Sequence, residues 1–564
     1  MLKIQGGTVY DPANHIDGEV RDLWVDGDKI VAAPSDATAK PTRLIDAAGL
    51  IVMPGGVDMH SHFAGPKVNA ARMMQQQGQA FVRRTPGLRS GTLGSVPSTF
   101  ATAYKYAALG YTTALDAAVP PLGARQAHQE LADTPCLDKA FYTLFGNNHY
   151  AMRCLADGKA GEQRLRTFLG WLLDRTKAFA PKLVNPGGVE VWKQGGGRIE
   201  GIDDKVPGFE VSPRRIIEGV TRAANDLALP HPVHLHCNQL GMPGNWRTTL
   251  DSMQTLDGLR GHLAHIQYHS YGGGDEDEGT LCSQVAPLAE YLNAHPNLTV
   301  DVGQVMFGQT MTLTGDSPLS HYLYRTLGDS KNGGGPWFTH DTELEAGCGV
   351  MPIEYKHKNL FNALQWAVGL EWYLLVDNPW QVAMSTDHPN GGSFLAYPQI
   401  IRLLMDRDYR NEILATCPPS LAGKTQLADL QREYSLREIA IITRAGPARM
   451  LGLANKGHLG PGGDADITLY SPTDNRAEMF SLPRYVIKAG QLMIENGELR
   501  CAPLGKTLYT TATYDEQQIT RGESSFKTWF EQNASVQFAN YGVDEEEVAL
   551  SEAVAAGSVG ADGN

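Results

Sequence analysis

Two pairs of histidines spaced one residue apart, and an aspartate closing an apolar run, carry the chemistry of this sequence. The first pair ends Gly55-Gly56-Val57-Asp58-Met59-His60-Ser61-His62. Alternate residues of a strand share a face, so His60 and His62 project together and can chelate one cation. Imidazole suits zinc and similar borderline ions. The second pair, His234 and His236, ends the run VHLHC. Alternation does not say which of these two is the better ligand, since both face the same side. His265 lies in LAHIQYH with His269 four residues on, and Asp387 ends QVAMSTD. An acid at the end of a buried strand is costly unless it is paired or bound to a cation. Singly, such residues are more often core histidines, helix caps or loop ion pairs. Three strand-terminal segments that all supply imidazoles point instead to a metal centre.

Such convergence needs several strand ends at one place. The middle of the chain alternates short apolar runs (111–118, 140–147, 182–186, 233–237, 262–269, 298–305 and 381–387) with helical segments. Ser212 and Pro213 form an N-cap and first-turn pair. Asn359 to Leu375 has an inward apolar face, and Ser435 with Glu438 is a capping box. Strand–helix alternation over this length implies parallel strands with helical crossovers. A closed ring gathers strand ends at one centre, which favours a (β/α)8 barrel over an open sheet. The first 50 residues and the segment near 455–500 alternate with period two and are broken by turns such as Asp26-Gly27. The expected fold is therefore α/β: a (β/α)8 barrel over 54–454, a small β-sandwich from 1–53 and 455–500, and a C-terminal extension, 501–564, with a flexible tail SVGADGN. Residues 65–101, 187–211 and 306–350 are expected loop insertions.

The composition agrees with an ordinary metabolic enzyme. The chain has 564 residues, 42% hydrophobic and 20% charged, with a net charge of −14. That balance excludes a disordered chain, and the acidic charge argues against nucleic acid. No apolar run reaches the roughly 20 residues of a membrane span. Seven scattered cysteines with no CxxC pair fit a reduced, cytoplasmic protein. Neither a phosphate loop nor a G-x-S-x-G elbow is present.

The pattern PGGVDMHSH, a strand lysine, two later strand histidines and a terminal strand aspartate resembles the amidohydrolase superfamily of metal-dependent hydrolases. KGHLGPGGDADITLY is similar to that family's return into its β-sandwich. Finer segments (VDMHSHFAGPKVN, PSTFATAYKYAALGYTTALDAAVPP, LFGNN, KLVNPGGVE, HLHCN, HIQYHSYGGG and STDHPNGG) resemble the A components of formylmethanofuran dehydrogenases and of bacterial formyltransferase/hydrolase complexes.

The resemblance implies two zinc ions bridged by a carboxylated lysine. Lys182 in KLVNPGG stands at the matching place, with Lys193 in VEVWKQG as its rival. It implies the ligand set His60, His62, Lys182, His234, His265 and Asp387, with His236 as the rival of His234. Asp387 would shuttle a proton and His265 would support the oxyanion as an N-formyl carrier of the formylmethanofuran type is cleaved to formate and free amine. Asn148, Asn238, Ser270, Tyr271 and Asn390, just beyond strand ends, are candidate contacts for that carrier. Lys67 and Arg72 are candidates for an anionic tail. Partners would be the other components of a formyltransferase/hydrolase-type complex. The alternatives are the same component in a tungsten- or molybdenum-dependent archaeal dehydrogenase, and a hydantoinase- or dihydroorotase-like hydrolase of cyclic amides.

Overall fold

The computed structural model describes residues 1–36, 40–74, 95–195, 197–274, 280–316, 337–339 and 348–557. Eight parallel strands form the centre: β1 (Gly56–Ser61), β2 (Tyr111–Val119), β3 (Asp138–Leu144), β4 (Ala180–Val184), β5 (Val233–His236), β6 (Gly261–Leu263), β7 (Leu298–Asp301) and β8 (Val382–Ala383). Each pairs in parallel with the next. The ring is closed where Ser61 bridges His388 and the His62 N–H donates to the His388 carbonyl at 2.7 Å. Most of these strands are buried along their whole length, as strands covered by helices on one side and packed inside on the other must be.

Local signals in the sequence decide the helices. Ser212 caps the helix Pro213–Asp226 by accepting from the Arg215 N–H. Asn359 does the same for Leu360–Leu375, and Ser435 with Glu438 forms the reciprocal capping box. Two apolar runs are shorter strands than expected. The run 262–269 is strand only to Leu263, because His265 turns to φ +34 and Ile266–His269 winds into a 3₁₀ turn. The run 381–387 is strand only over Val382–Ala383.

Both ends of the chain build one nine-stranded hydrogen-bonded sheet. Its long strand Leu2–Asp11 pairs first with Arg43–Asp46 and then with Ile51–Pro54, which in turn pairs with Ile467–Tyr470. Leu2, Ile4, Val9, Ile45, Val52, Ile467 and Ile487 fill its core. A buried ionic cluster ties this sheet to the barrel. Asp138 at the start of β3 accepts from Lys456 and from Lys488 at 2.6 Å, and Lys488 also reaches Asp466 at 2.7 Å.

The extension does not hang free over its described part. Thr507–Thr511 pairs in parallel with β3 and with Ser551–Ala555. Phe526, Phe538 and Tyr541 pack on Phe168 and Trp171 of the helix Gly158–Thr176, and Phe530 packs on Tyr541. The tail SVGADGN, and parts of the expected insertions (75–94, 196, 317–336 and 340–347), lie outside the described residues. The remainder of those insertions holds helices Pro66–Met74 and Gly188–Gly195 and the antiparallel pair Gly308–Thr314 and Cys348–Tyr355.

Candidate metal centre

A narrow cavity of about 60 Å³ lies at the C-terminal ends of the barrel strands. His60, His62, Lys182, His236, His265 and Asp387 line its floor. Each stands where its strand dictates. His60 lies one residue before the end of β1, with His62 just beyond the strand; Lys182 lies within β4, and His236 ends β5. His265 and Asp387 follow β6 and β8 in left-handed backbone conformations, φ +34 and +50. Non-glycine residues held there are strained and cluster at functional sites.

Asp387 Oδ1 lies 3.0 Å from His60 Nε2 and 3.1 Å from His62 Nε2. His60 is fully buried, which disfavours its charge, yet the Asp301 carboxylate against Nδ1 overrides this and raises its pKa to about 9. Burial opposes ionisation of Asp387, but His60 and His265 beside it hold its carboxyl well below the usual range. Lys182 is enclosed by the barrel, and burial pulls its amine down to about 8. Its Nζ has no hydrogen-bond partner among the described residues.

These residues offer donor atoms of the kind that hold a cation. His60, His265 and Asp387 each offer a donor atom within 4.8 Å of the others, as do His236, His265 and His269. Lys182 Nζ, His265 Nδ1 and both ring nitrogens of His269 are buried without hydrogen bonds among the described residues. Buried polar atoms are normally satisfied, so this concentration of orphans marks donor positions for a cation. The acidic trio Asp138, Asp464 and Asp466 also lies within that span, but there Lys456 and Lys488 supply the positive charge.

The rivals that alternation left open stand at different depths. His236 lines the cavity, and His234 lies deeper in the barrel with Nε2 2.9 Å from His60 Nδ1, where His60, His234 and Asp301 form a further group of donor atoms within 4.8 Å of one another. Lys182 lines the cavity, whereas Lys193 is carried on the helix Gly188–Gly195 and is part-exposed.

Among the seven expected substrate contacts, Asn390 lines the cavity. The other six stand elsewhere, because local backbone groups claim most of them. Arg72 donates to the Pro97 and Phe63 carbonyls and to Asn69. Asn148 caps the helix His149–Ala156. Asn238 donates to Asn185 and to the Pro186 carbonyl. Ser270 donates to the Ile266 carbonyl and accepts from the Trp372 indole, and the Tyr271 hydroxyl donates to Gln267. Lys67, on the helix Pro66–Met74, is outside the cavity lining.

Several residues around the site were not singled out by the sequence. Leu240, Tyr268, Ile353, Tyr355 and Phe361 form an apolar and aromatic wall. The Tyr355 hydroxyl donates to the Asn390 carbonyl at 2.9 Å and lies 3.3 Å from that of Tyr268. Asp316 meets His236 Nε2 at 3.2 Å. Asp116 on β2 accepts from the Phe63 and Ala64 N–H groups, both at 2.8 Å, and so holds the turn after His62. Asp301, the acid inside LTVDVGQV, touches His60, His262 and Ser385. A strand acid amid apolar residues is the same signal that singled out Asp387.

The architecture recurs in known proteins. Protein FwdA of Methanocaldococcus jannaschii is 40% identical over 563 residues, covering 96% of this chain and 96% of that protein. The A component of the formyltransferase/hydrolase complex Fhc of Methylorubrum extorquens is 37% identical over 538 residues, covering 94% of this chain and 95% of that one. The crystal structure of the formyltransferase/hydrolase complex FhcABCD from M. extorquens with methylofuran superposes with a TM-score of 0.89 at 34% identity, covering 98% of this chain and 99% of its counterpart. The profile of the amidohydrolase family matches residues 43–494. Since that match runs from the first sheet through all eight barrel strands and into the returning sheet, this chain belongs to the amidohydrolase family.

Proposed function

We propose that this chain hydrolyses the N-formyl group of a formylmethanofuran-type one-carbon carrier, releasing formate and the carrier's free amine, as the hydrolytic component of a formyltransferase/hydrolase complex. The observation that carries this reading is Lys182: a buried amine without a hydrogen-bond partner, in a cavity shared with His60, His62, His236, His265 and Asp387. Such an amine is suited to take up CO2 as a carbamate, and the resulting carboxylate would stand between two cations. His60, His62 and Asp387 would hold one zinc ion. His236 with His265 and His269 would hold the other. Bound zinc supplies a Lewis acid and lowers the pKa of water from 15.7 to about 7.

The chain's own groups then do the following. The aromatic wall of Tyr268, Tyr355 and Phe361 excludes bulk water and faces the ring of the carrier. The Asn390 side-chain oxygen accepts from the Leu313 N–H at 2.6 Å, which leaves its amide to donate to the formyl oxygen. Asp387 is ionised, so its carboxylate accepts the proton of the attacking water. It returns that proton to the departing nitrogen, because an amine does not leave as an anion. One water and one formamide thus give formate and a protonated amine. The similarity to the A component of Fhc supports the formamide over a cyclic amide.

The test is direct. The purified complex is incubated with a formylmethanofuran-type substrate and, separately, a dihydropyrimidine, and formate is measured alongside zinc content. Formate from the first substrate and about two zinc per chain are expected. Turnover confined to the dihydropyrimidine, or a chain without bound metal, would overturn the reading.

A further inference from the structure

His234 shares a strand face with His236 but belongs to a chain of imidazoles that runs away from the cavity. At its far end His231 Nδ1 lies 2.8 Å from the Met450 carbonyl oxygen. A carbonyl only accepts, so this nitrogen carries the proton of the ring. Burial holds the His231 pKa well below its ordinary value, so the ring is neutral and its Nε2 is a bare lone pair. His234 Nδ1 stands 3.1 Å from that lone pair and donates to it. The remaining nitrogen of His234, Nε2, is therefore an acceptor, and it lies 2.9 Å from His60 Nδ1. On its other side His60 Nδ1 lies 2.9 Å from Asp301 Oδ2. Both neighbours accept, so His60 keeps a proton on Nδ1 and presents Nε2 toward Asp387.

We propose that His231, His234 and Asp301 are positioning residues that lock His60 in its Nδ1–H form, so that its Nε2 lone pair is always the one offered to a cation. This rests on the metal reading above. The parts are fixed by packing and by their own hydrogen bonds. The Tyr142 ring stacks on His234 and on His231, with centroids 4.4 and 5.3 Å apart. Asp301 is pinned by the His265 N–H at 3.0 Å, the Ser385 hydroxyl at 2.8 Å and His262 Nε2 at 3.1 Å. A free imidazole exchanges between tautomers, and half-committed rings bind metal less well. Groups that fix the outer nitrogen of a ligand histidine typically carry 10–100-fold in metal affinity.

The experiment compares wild type, His234→Leu, His234→Gln and His231→Phe. Zinc per chain is measured against a graded chelator, with thermal unfolding as the folding control. Histidine-selective ¹⁵N spectra of the loaded protein report which ring nitrogens carry protons. The glutamine carbonyl can replace the His234 Nε2 acceptor, whereas leucine removes it. The expected result is zinc retention weakened about 10–100-fold in His234→Leu, recovery toward wild type in His234→Gln, and a smaller loss in His231→Phe, one link farther out. The His60 signal should show Nδ1–H in wild type and lose definition in His234→Leu. Wild-type retention in His234→Leu, or equal loss in the leucine and glutamine variants, would overturn the relay while leaving the metal reading intact. Loss of one whole zinc equivalent in both His234 variants would make His234 a ligand and overturn it too. Absence of zinc from wild type would remove the metal reading and the relay together.

Discussion

A Cβ placed on Gly303 would stand 2.4 Å from the Cβ of His265. Gly303 also has φ +67, a conformation that costs an L-residue roughly 1–2 kcal/mol. The backbone after β7 thus comes close enough to His265 to help hold it in its own left-handed turn. Gly303→Ala should displace His265, lower zinc content and cut turnover at least tenfold, while a folded, less stable protein remains. Unchanged zinc content in that variant would show that this approach does not position the histidine.

Asp387 meets both histidines of the first pair. Asp387→Asn should keep most of the metal and lose about 10²–10⁴-fold in formate release, the usual range for a general acid–base group. Near-normal turnover would remove Asp387 from proton transfer.

Lys182 is buried among histidines, and its amine makes no hydrogen bond among the described residues. Lys182→Ala should lose zinc and activity, and a short carboxylate such as acetate or propionate, filling the vacated space, should restore part of both. In intact protein, native mass spectrometry should find the added mass of one CO2, lost on acidification. An unmodified lysine in fully active protein would refute the carbamate.

His128 gives a pH dependence whose sign can be worked out. Its Nε2 lies 2.9 Å from the Thr176 carbonyl, and burial lowers its pKa from 6.5 to about 4. The unfolded chain therefore takes up a proton at higher pH than the folded one. The stability this contributes is full above pH 6.5 and is lost as pH falls toward 4, by up to about 1.4 kcal/mol per pH unit. His128→Gln keeps a donor for Thr176 without titrating. Denaturant unfolding between pH 7 and 4 should show a shallower acid loss in the variant than in wild type, and parallel curves would exclude His128 as a source.

Asp138 stands between two buried lysines where sheet and barrel meet. Asp138→Ala leaves Lys456 and Lys488 with less compensation, and removing one partner of a buried pair typically costs about 3–5 kcal/mol. A clear fall in the unfolding midpoint is expected. A shift within experimental scatter would show that Asp464 and Asp466 suffice.

The sequence by itself determined what depends on local order. His60 and His62 share a face because strands alternate, Asp387 follows the eighth strand as a buried acid, and Ser212, Asn359 and Ser435 start helices because their side chains reach backbone N–H groups three residues on. The resemblance in PGGVDMHSH and its companions led to the family. Tertiary structure alone decided depth. His234 and His236 stand two positions apart, about 6.6 Å along a strand, and both point inward. In a closed ring inward side chains stack in layers whose level is set by strand tilt and stagger across the whole barrel. One histidine therefore reaches the cavity and the other joins the interior network with His231 and Asp301. The same global register buried Lys182 and left Lys193 on a helix, and it turned Arg72 toward the Pro97 and Phe63 carbonyls, which folding brings near.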